Sequence, residues 1–185
     1  MTNTQPGWAG DVLAFWFQEI APEQWFKKSD AFDAQLRDRF LATHEAVARL
    51  PDEACLADAR TALAALIALD QIPRNIFRGT PRAFATDTKA LAIAKAAVAR
   101  GYDAGLSKDE RLFFYLPFEH SEDRDMQARS VALVSTLADA ELLKWAQAHK
   151  TIIDRFGRFP HRNEILGRVS TPEEREFLTQ PGSSF

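Results

Sequence analysis

Two stretches of the sequence hold the side chains best suited to chemistry. The first runs from Asp70 to Arg82, DQIPRNIFRGTPR, and the second spans 155–168, RFGRFPHRNEILGR. Each interleaves arginines with prolines, glycines and apolar anchors, unlike a flexible Gly/Ser/Glu linker. Anchoring matters because a guanidinium fork held in one direction grips a carboxylate or phosphate with two parallel hydrogen bonds at low entropic cost. Asp70, Arg74, Asn75 and Arg78 of the first stretch are therefore candidate ligand-binding residues. Arg155, Arg158, Arg162, Asn163 and Arg168 of the second join them, together with Glu122. Glu119, His120, His149 and His161 are the candidate proton-handling groups.

Local charge sharpens the contrast between these segments. Residues 155–168 carry four Arg against one Glu, and residues 119–125 carry Glu119, Glu122, Asp123 and Asp125 against Arg124. If the fold joins them, the result is an internal salt-bridge network, a pocket lined by both signs, or both. Asp70 follows Leu66 and Ile67 on an apolar stripe, where a lone carboxylate is costly, so a pair with Arg74 or an arginine of the second stretch is expected. His149 faces inward beside Ala146 and Ile153, as a hydrogen-bonded core histidine or as an acid or base. His44 continues the spacing of Leu36 and Phe40 and reads as structural.

Several chemistries lack their motifs. There is no HExxH, CxxC or EF-hand loop, so neither a metal nor any other cofactor is expected, although Glu119, His120 and Glu122 are ligand types. GxSxG, GxGxxG and GxxxxGK[ST] are also missing. The single Cys55, flanked by Ala54 and Leu56, reads as a buried thiol in a reducing compartment. A net charge of −3 argues against nucleic acid as a partner. No run approaches the ~20 apolar residues of a membrane span, and the first ten residues contain no basic side chain. A cytoplasmic protein without membrane partners is the expectation.

The elements that must position these groups are helical. Thirty Ala and 18 Leu stand against 6 Val and 8 Ile, a balance that favours helix over strand. Apolar stripes run through Val12–Ile20, Phe32–Val47 and Leu56–Ile67, with Pro22, Pro51 and Pro73 as stops. Thr86 and Asp87 open a helix that Gly101 ends, and Ser107 with Glu110 has capping-box spacing. Pro117 predicts a kink or break before FEHSED. Met126–Leu137 and Leu142–Phe156 follow, and Thr171-Pro172-Glu173-Glu174 begins a short last helix. About eight antiparallel helices in one all-α domain over 1–185 are expected, with 1–9 and 179–185 as loose termini. Phe15, Phe32, Phe40, Phe113 and Phe156 are assigned to the core, and Trp8 and Trp25 to more exposed positions.

LDQIPRNIFRGTPRAFATD, FFYLPFEHSED with Gln127, and RFGRFPHRNEILGR followed by ST-x-EE-x-x-FL resemble the bacterial domain-of-unknown-function family numbered 924. VLAFWF and Trp25-Phe26 are similar to its opening, so the resemblance covers about residues 10–178. It implies a tetratricopeptide-like, right-handed helical array, though no 34-residue repeat is legible in the chain. It implies no reaction and no catalytic residues. The expected function is binding of a small anionic or zwitterionic molecule in an Arg/His/Glu-lined pocket; whether acid–base turnover follows binding is left open by the residues. A helical-repeat-like scaffold for a peptide or partner protein is the alternative.

Overall fold

In the computed structural model, residues 6–184 are described. Nine helices and no strand occur among them, so the fold is all-α as the composition predicts. They are α1 (Gly7–Ala14), α2 (Asp30–Arg49), α3 (Asp52–Cys55), α4 (59–76), α5 (Asp87–Ala99), α6 (Lys108–Glu119), α7 (Arg124–Ser135), α8 (Ala140–Phe156) and α9 (Pro172–Leu178). The one-turn α3, opened by Pro51 and carrying Asp52 and Glu53, is the addition to the eight expected. The chain groups into two compact units. One holds the described residues up to Arg78 and Arg82–Pro117; the other holds Gly79–Pro81 and the described residues from Phe118. Of the segments expected to be loose, 1–5 and 185 lie outside the described residues; Ala9 is buried in α1, and Ser183 is buried with its Oγ donating to the Leu178 carbonyl.

In the first unit α4 packs against α1 and α5, and its last turns lie along α2. Their shared core holds Phe15, Trp16, Leu36, Phe40, Leu63 and Leu66. Trp25 is buried, not exposed as its place after Pro22 suggested: its indole Nε1 donates to the Trp16 carbonyl at 2.9 Å, and its ring meets Phe113 edge-on. That carbonyl lies in a π-helical turn, Phe15–Glu19, where the usual helical bonding shifts by one residue and leaves a group to be met from outside.

The same device changes the end of α4. The sequence predicts a stop before Pro73, but the helix runs through it because Ile67–Gln71 is a π turn leading directly into Ile72–Ile76. The Ile72 N–H donates to the Ile67 carbonyl, five residues back. Pro73 has no N–H, so the carbonyls one and two positions beyond Ile67 lose their next donor. His44 Nδ1 takes Ala68 O at 2.8 Å, and the Thr86 hydroxyl takes Leu69 O at 2.5 Å. Thr86 therefore spends its hydroxyl on α4 and makes no side-chain cap on α5.

The Ser107–Glu110 box opens α6 as expected, each side chain bonding the other's backbone N–H. The helix then continues past Pro117 to Glu119 without the expected break. Only two helical residues follow the proline, so little of the helix depends on the missing bond. Gln127 completes the end, its Nε2 donating to the carbonyls of Glu119 (2.6 Å) and Ser121 (2.7 Å).

The second unit is built on the α7–α8 hairpin, whose helices pack closely across a short connection. Asp123 caps α7 and Asp139 caps α8, each accepting two backbone N–H bonds. Gly157 ends α8 at φ +71°, a left-handed conformation suited to glycine, and turns the chain into the arginine-bearing segment. Ile152, Ile153 and Phe159 form a small core there, with Phe156 partly buried against it beside Phe177. The Thr171–Glu174 box with Pro172 in its first turn opens α9, as the spacing predicts.

Candidate functional site

Helix periodicity and the turn at Gly157 bring together all four proton-handling candidates. Glu119, at the end of α6, and His149, on the inner face of α8, are buried at 4% and 6% exposure. His149 Nδ1 lies 2.9 Å from the Trp145 carbonyl and 3.1 Å from Glu119 Oε1. The His120 ring is 6.3 Å from His149, and Phe159 meets His149 edge-on at 5.7 Å. His161 is 5.6 Å from Phe159 on another side, and the Arg162 guanidinium lies 4.5 Å from the centre of that ring. Phe159 is thus the common floor for His149, His161 and Arg162. Its place between Gly157 and Pro160 carried no such signal in the sequence.

The short His149–Glu119 contact has the geometry of an ion pair, yet burial holds the imidazole neutral. Burial and the nearby His120, Arg162 and His161 outweigh the Trp145 carbonyl and lower the His149 pKa to about 3. The tautomer follows from the neighbours. A backbone carbonyl can only accept, so the proton sits on Nδ1 and the lone pair on Nε2.

This arrangement sets a pH dependence. An unfolded histidine binds its proton near pH 6.5, and His149 in the fold only near pH 3. Between those values the unfolded chain holds the extra proton, so stability falls as pH falls, by about 1.4 kcal/mol per pH unit from this group. Unfolding free energies measured in urea from pH 7 to pH 4 should fall with pH at least that steeply. His149→Gln should make the fall shallower, leaving the part contributed by His44, whose pKa burial also lowers. An unchanged slope in the variant would assign the acid sensitivity elsewhere.

The remaining candidates are held by local partners. The half-buried Glu122 accepts from Phe159 N at 2.8 Å and from Arg168 Nη1 and Nη2 at 2.7 and 2.9 Å. Burial opposes its charge, but these bonds prevail and hold its pKa below the ordinary value. Arg168 also donates to Asn163 Oδ1 and Phe159 O, stapling the segment to itself. This is the ionic network anticipated from the opposite local charges. Arg158 Nε and Nη2 bond both oxygens of Glu174, at 2.7 and 2.8 Å, and Arg155 pairs with Glu173. Asn163 Nδ2 reaches Ser170 and the Glu174 carboxylate. The Arg158 bond pushes the Glu174 pKa down to about 2. The capping-box spacing marked Glu174 as a helix cap; its second role as the hub of this network left no signature in the sequence.

In the first unit Arg74 bonds Asp87 through both Nη atoms at 3.0 Å and lies 3.1 Å from Asp70. Burial disfavours the Arg74 charge, but the two carboxylates prevail and hold its pKa above the ordinary value. Of the two partners expected for Asp70, Arg74 or an arginine of the second stretch, the structure pairs it with Arg74. Arg78 bonds Asp33 at 2.7 and 2.9 Å and Asn75 Oδ1 at 2.8 Å, while Asn75 Nδ2 donates to Gln71 O. Among the named arginines Arg162 differs in being buried, at 6% exposure; its guanidinium lies over Phe159 much as that of Arg155 lies over Phe156. No group of three or more His, Cys, Asp or Glu among the described residues is arranged to hold a metal ion. No described helix is long and apolar enough to cross a membrane.

Comparison with known proteins matches this architecture to a family. A solved structure of a protein of unknown function from Agrobacterium tumefaciens is 46% identical and superposes with a TM-score of 0.87, covering 92% of this chain and 96% of that one. No curated protein matches the chain. The family model for bacterial proteins of unknown function, DUF924, matches residues 12–182, a span that includes both arginine-bearing segments and the buried histidine. The chain belongs to this DUF924 family of bacterial proteins.

Proposed function

We propose that the second unit binds a small anionic or zwitterionic molecule at the Glu119–His120–His149–His161–Arg162 cluster. The observation that carries this reading is a buried imidazole held neutral and in one tautomer beside a buried guanidinium and two further histidines. The positive groups that discourage a proton on His149 favour an anion at the same place. Arg162 supplies the fixed charge, Phe159 sets its plane, and His149 Nε2 is the proton-accepting atom for a ligand that carries an acidic hydrogen. His120 and His161, both half-buried, lie where the cluster meets solvent.

Linkage makes this testable. An anion bound beside His149 must raise its pKa, because each stabilises the other's charge. Inorganic phosphate, succinate and glycine, titrated separately against protein with labelled histidines, should shift the His149 ring resonances saturably for at least one probe. Arg162→Met should weaken that binding at least tenfold while the far-UV and near-UV spectra stay those of the parent. Unchanged binding in a folded Arg162→Met variant would remove the proposal. Native mass spectrometry of freshly purified protein identifies the physiological ligand directly.

The scaffold alternative draws on a different feature, a shallow, mostly apolar groove in the first unit lined by Trp8, Ala42, Thr43, Ala46, Val47 and Leu50. A stoichiometric co-purifying protein favours that reading, and a retained small molecule favours the anion site.

A further inference from the structure

The inner face of α7 carries two polar atoms whose hydrogen bonding is not completed among the described residues. Gln127 and Ser130 are both fully buried, and neither Gln127 Oε1 nor Ser130 Oγ has a hydrogen-bond partner among the described residues. The amide cannot be turned to remove the problem. Its other end faces two carbonyls, Glu119 O at 2.6 Å and Ser121 O at 2.7 Å, which require the NH2 group there. Oε1 is therefore fixed as an acceptor in need of a donor. Ser130 lies three residues along the same helix, where side chains at i and i+3 are neighbours. Leaving a buried polar atom unmet costs about 1–3 kcal/mol, and buried polar atoms in native proteins are almost always matched.

We infer that this face binds one internal water molecule, donating to Gln127 Oε1 and sharing a hydrogen bond with Ser130 Oγ. A water is the occupant of least size that can donate and accept at once, and internal waters usually make two to four such bonds. The site is independent of the anion proposal, yet it is coupled to the same backbone. Gln127 spans the carbonyls on either side of His120, so the water, the amide and the end of α6 form one chain of hydrogen bonds.

The test is water–protein NOE spectroscopy on the full chain, supported by a crystal structure at a resolution that shows ordered water. A long-lived water should give a cross-peak to the Gln127 side-chain amide protons, and density should lie within 3.2 Å of both Oε1 and Oγ, the hydrogen-bonding range. Ser130→Ala should weaken the cross-peak several-fold by removing one anchor. Ser130→Val, which replaces the hydroxyl with bulkier methyl groups, should abolish it. Failure of the cross-peak in the parent protein overturns the inference. So does a crystal structure in which Ser130 Oγ bonds a backbone carbonyl, or in which a larger molecule occupies the site. If either variant fails to fold, the parent NOE and density still decide the question. None of these outcomes bears on phosphate, succinate or glycine binding at Arg162.

Discussion

Replacing Arg74 with methionine should lower the stability of the protein by about 3–5 kcal/mol, the range measured when one partner of a buried pair is removed. Met keeps most of the packing volume of the arginine stem, so the loss isolates the charge. Asp70 is 2% exposed, and the guanidinium that faces it also carries Asp87 and donates to Asp70's own backbone carbonyl. Without it a buried carboxylate loses its cationic neighbour at a point where the chain is already in a π turn. Urea unfolding of Arg74→Met and of the Asp70→Asn/Arg74→Met double variant separates the causes. The double variant should recover a substantial part of the loss because the buried Asp70 charge is gone, and Asp87, which has some access to solvent, is the carboxylate left without Arg74. If it recovers nothing, the arginine acts through its bonds to Asp87 and the backbone.

Glu174→Ala should cost about 2–4 kcal/mol, the sum of a lost cap and of polar groups left unmet. The carboxylate is 2% exposed and is shared by Arg158, Asn163 Nδ2 and the Thr171 N–H, the last at 2.7 Å. Arg158 has solvent within reach and can recover hydration, whereas Asn163 is fully buried and cannot. Thr171→Val, which removes only the hydroxyl side of the cap, should cost about 1 kcal/mol. The contrast between the two is read from their urea midpoints. The acid dependence adds a signature. A carboxylate whose pKa is about 2 in the fold and 4.5 in its ordinary state stabilises fully above pH 4.5, and that contribution is lost as pH falls toward 2. Glu174→Ala should therefore reduce the acid sensitivity below pH 4.5, leaving the part due to Glu122, and leave the His149 window, from pH 6.5 downward, in place.

Features set by near neighbours along the chain are legible in the amino-acid sequence itself. The Ser107–Glu110 and Thr171–Glu174 boxes, the eight long or capped helices and the Asp70–Arg74 pair all depend on spacings of four residues or fewer. What escapes such a reading is decided by groups far along the chain. Pro73 reads as a stop because its missing donor is a local fact, while His44 and Thr86, which take up the carbonyls, come from α2 and from just before α5. Trp25 reads as exposed because the Trp16 carbonyl that accepts its N–H is freed only by a π turn. At the candidate site the residue types are legible and their assembly is not. Glu119, His120, His149 and His161 are candidates by type, but Phe159, the ring shared by His149, His161 and Arg162, is an ordinary core residue by every sequence measure. Likewise, the arginines' charge is visible, and the carboxylates engaging Arg158 and Arg168 from 16 and 46 residues away are not.

The π turn at 67–71 also fixes the reading frame of everything that follows it in α4. A π turn is an α-helix with one residue too many, and each residue in an α-helix advances the side chain by about 100° around the axis. Straightening the turn into regular α-helix with all its residues kept would swing Arg74 by that angle away from Asp87. The bulge thus acts as an angular spacer: one surplus residue aims the guanidinium, and no change of side chain could reproduce its effect.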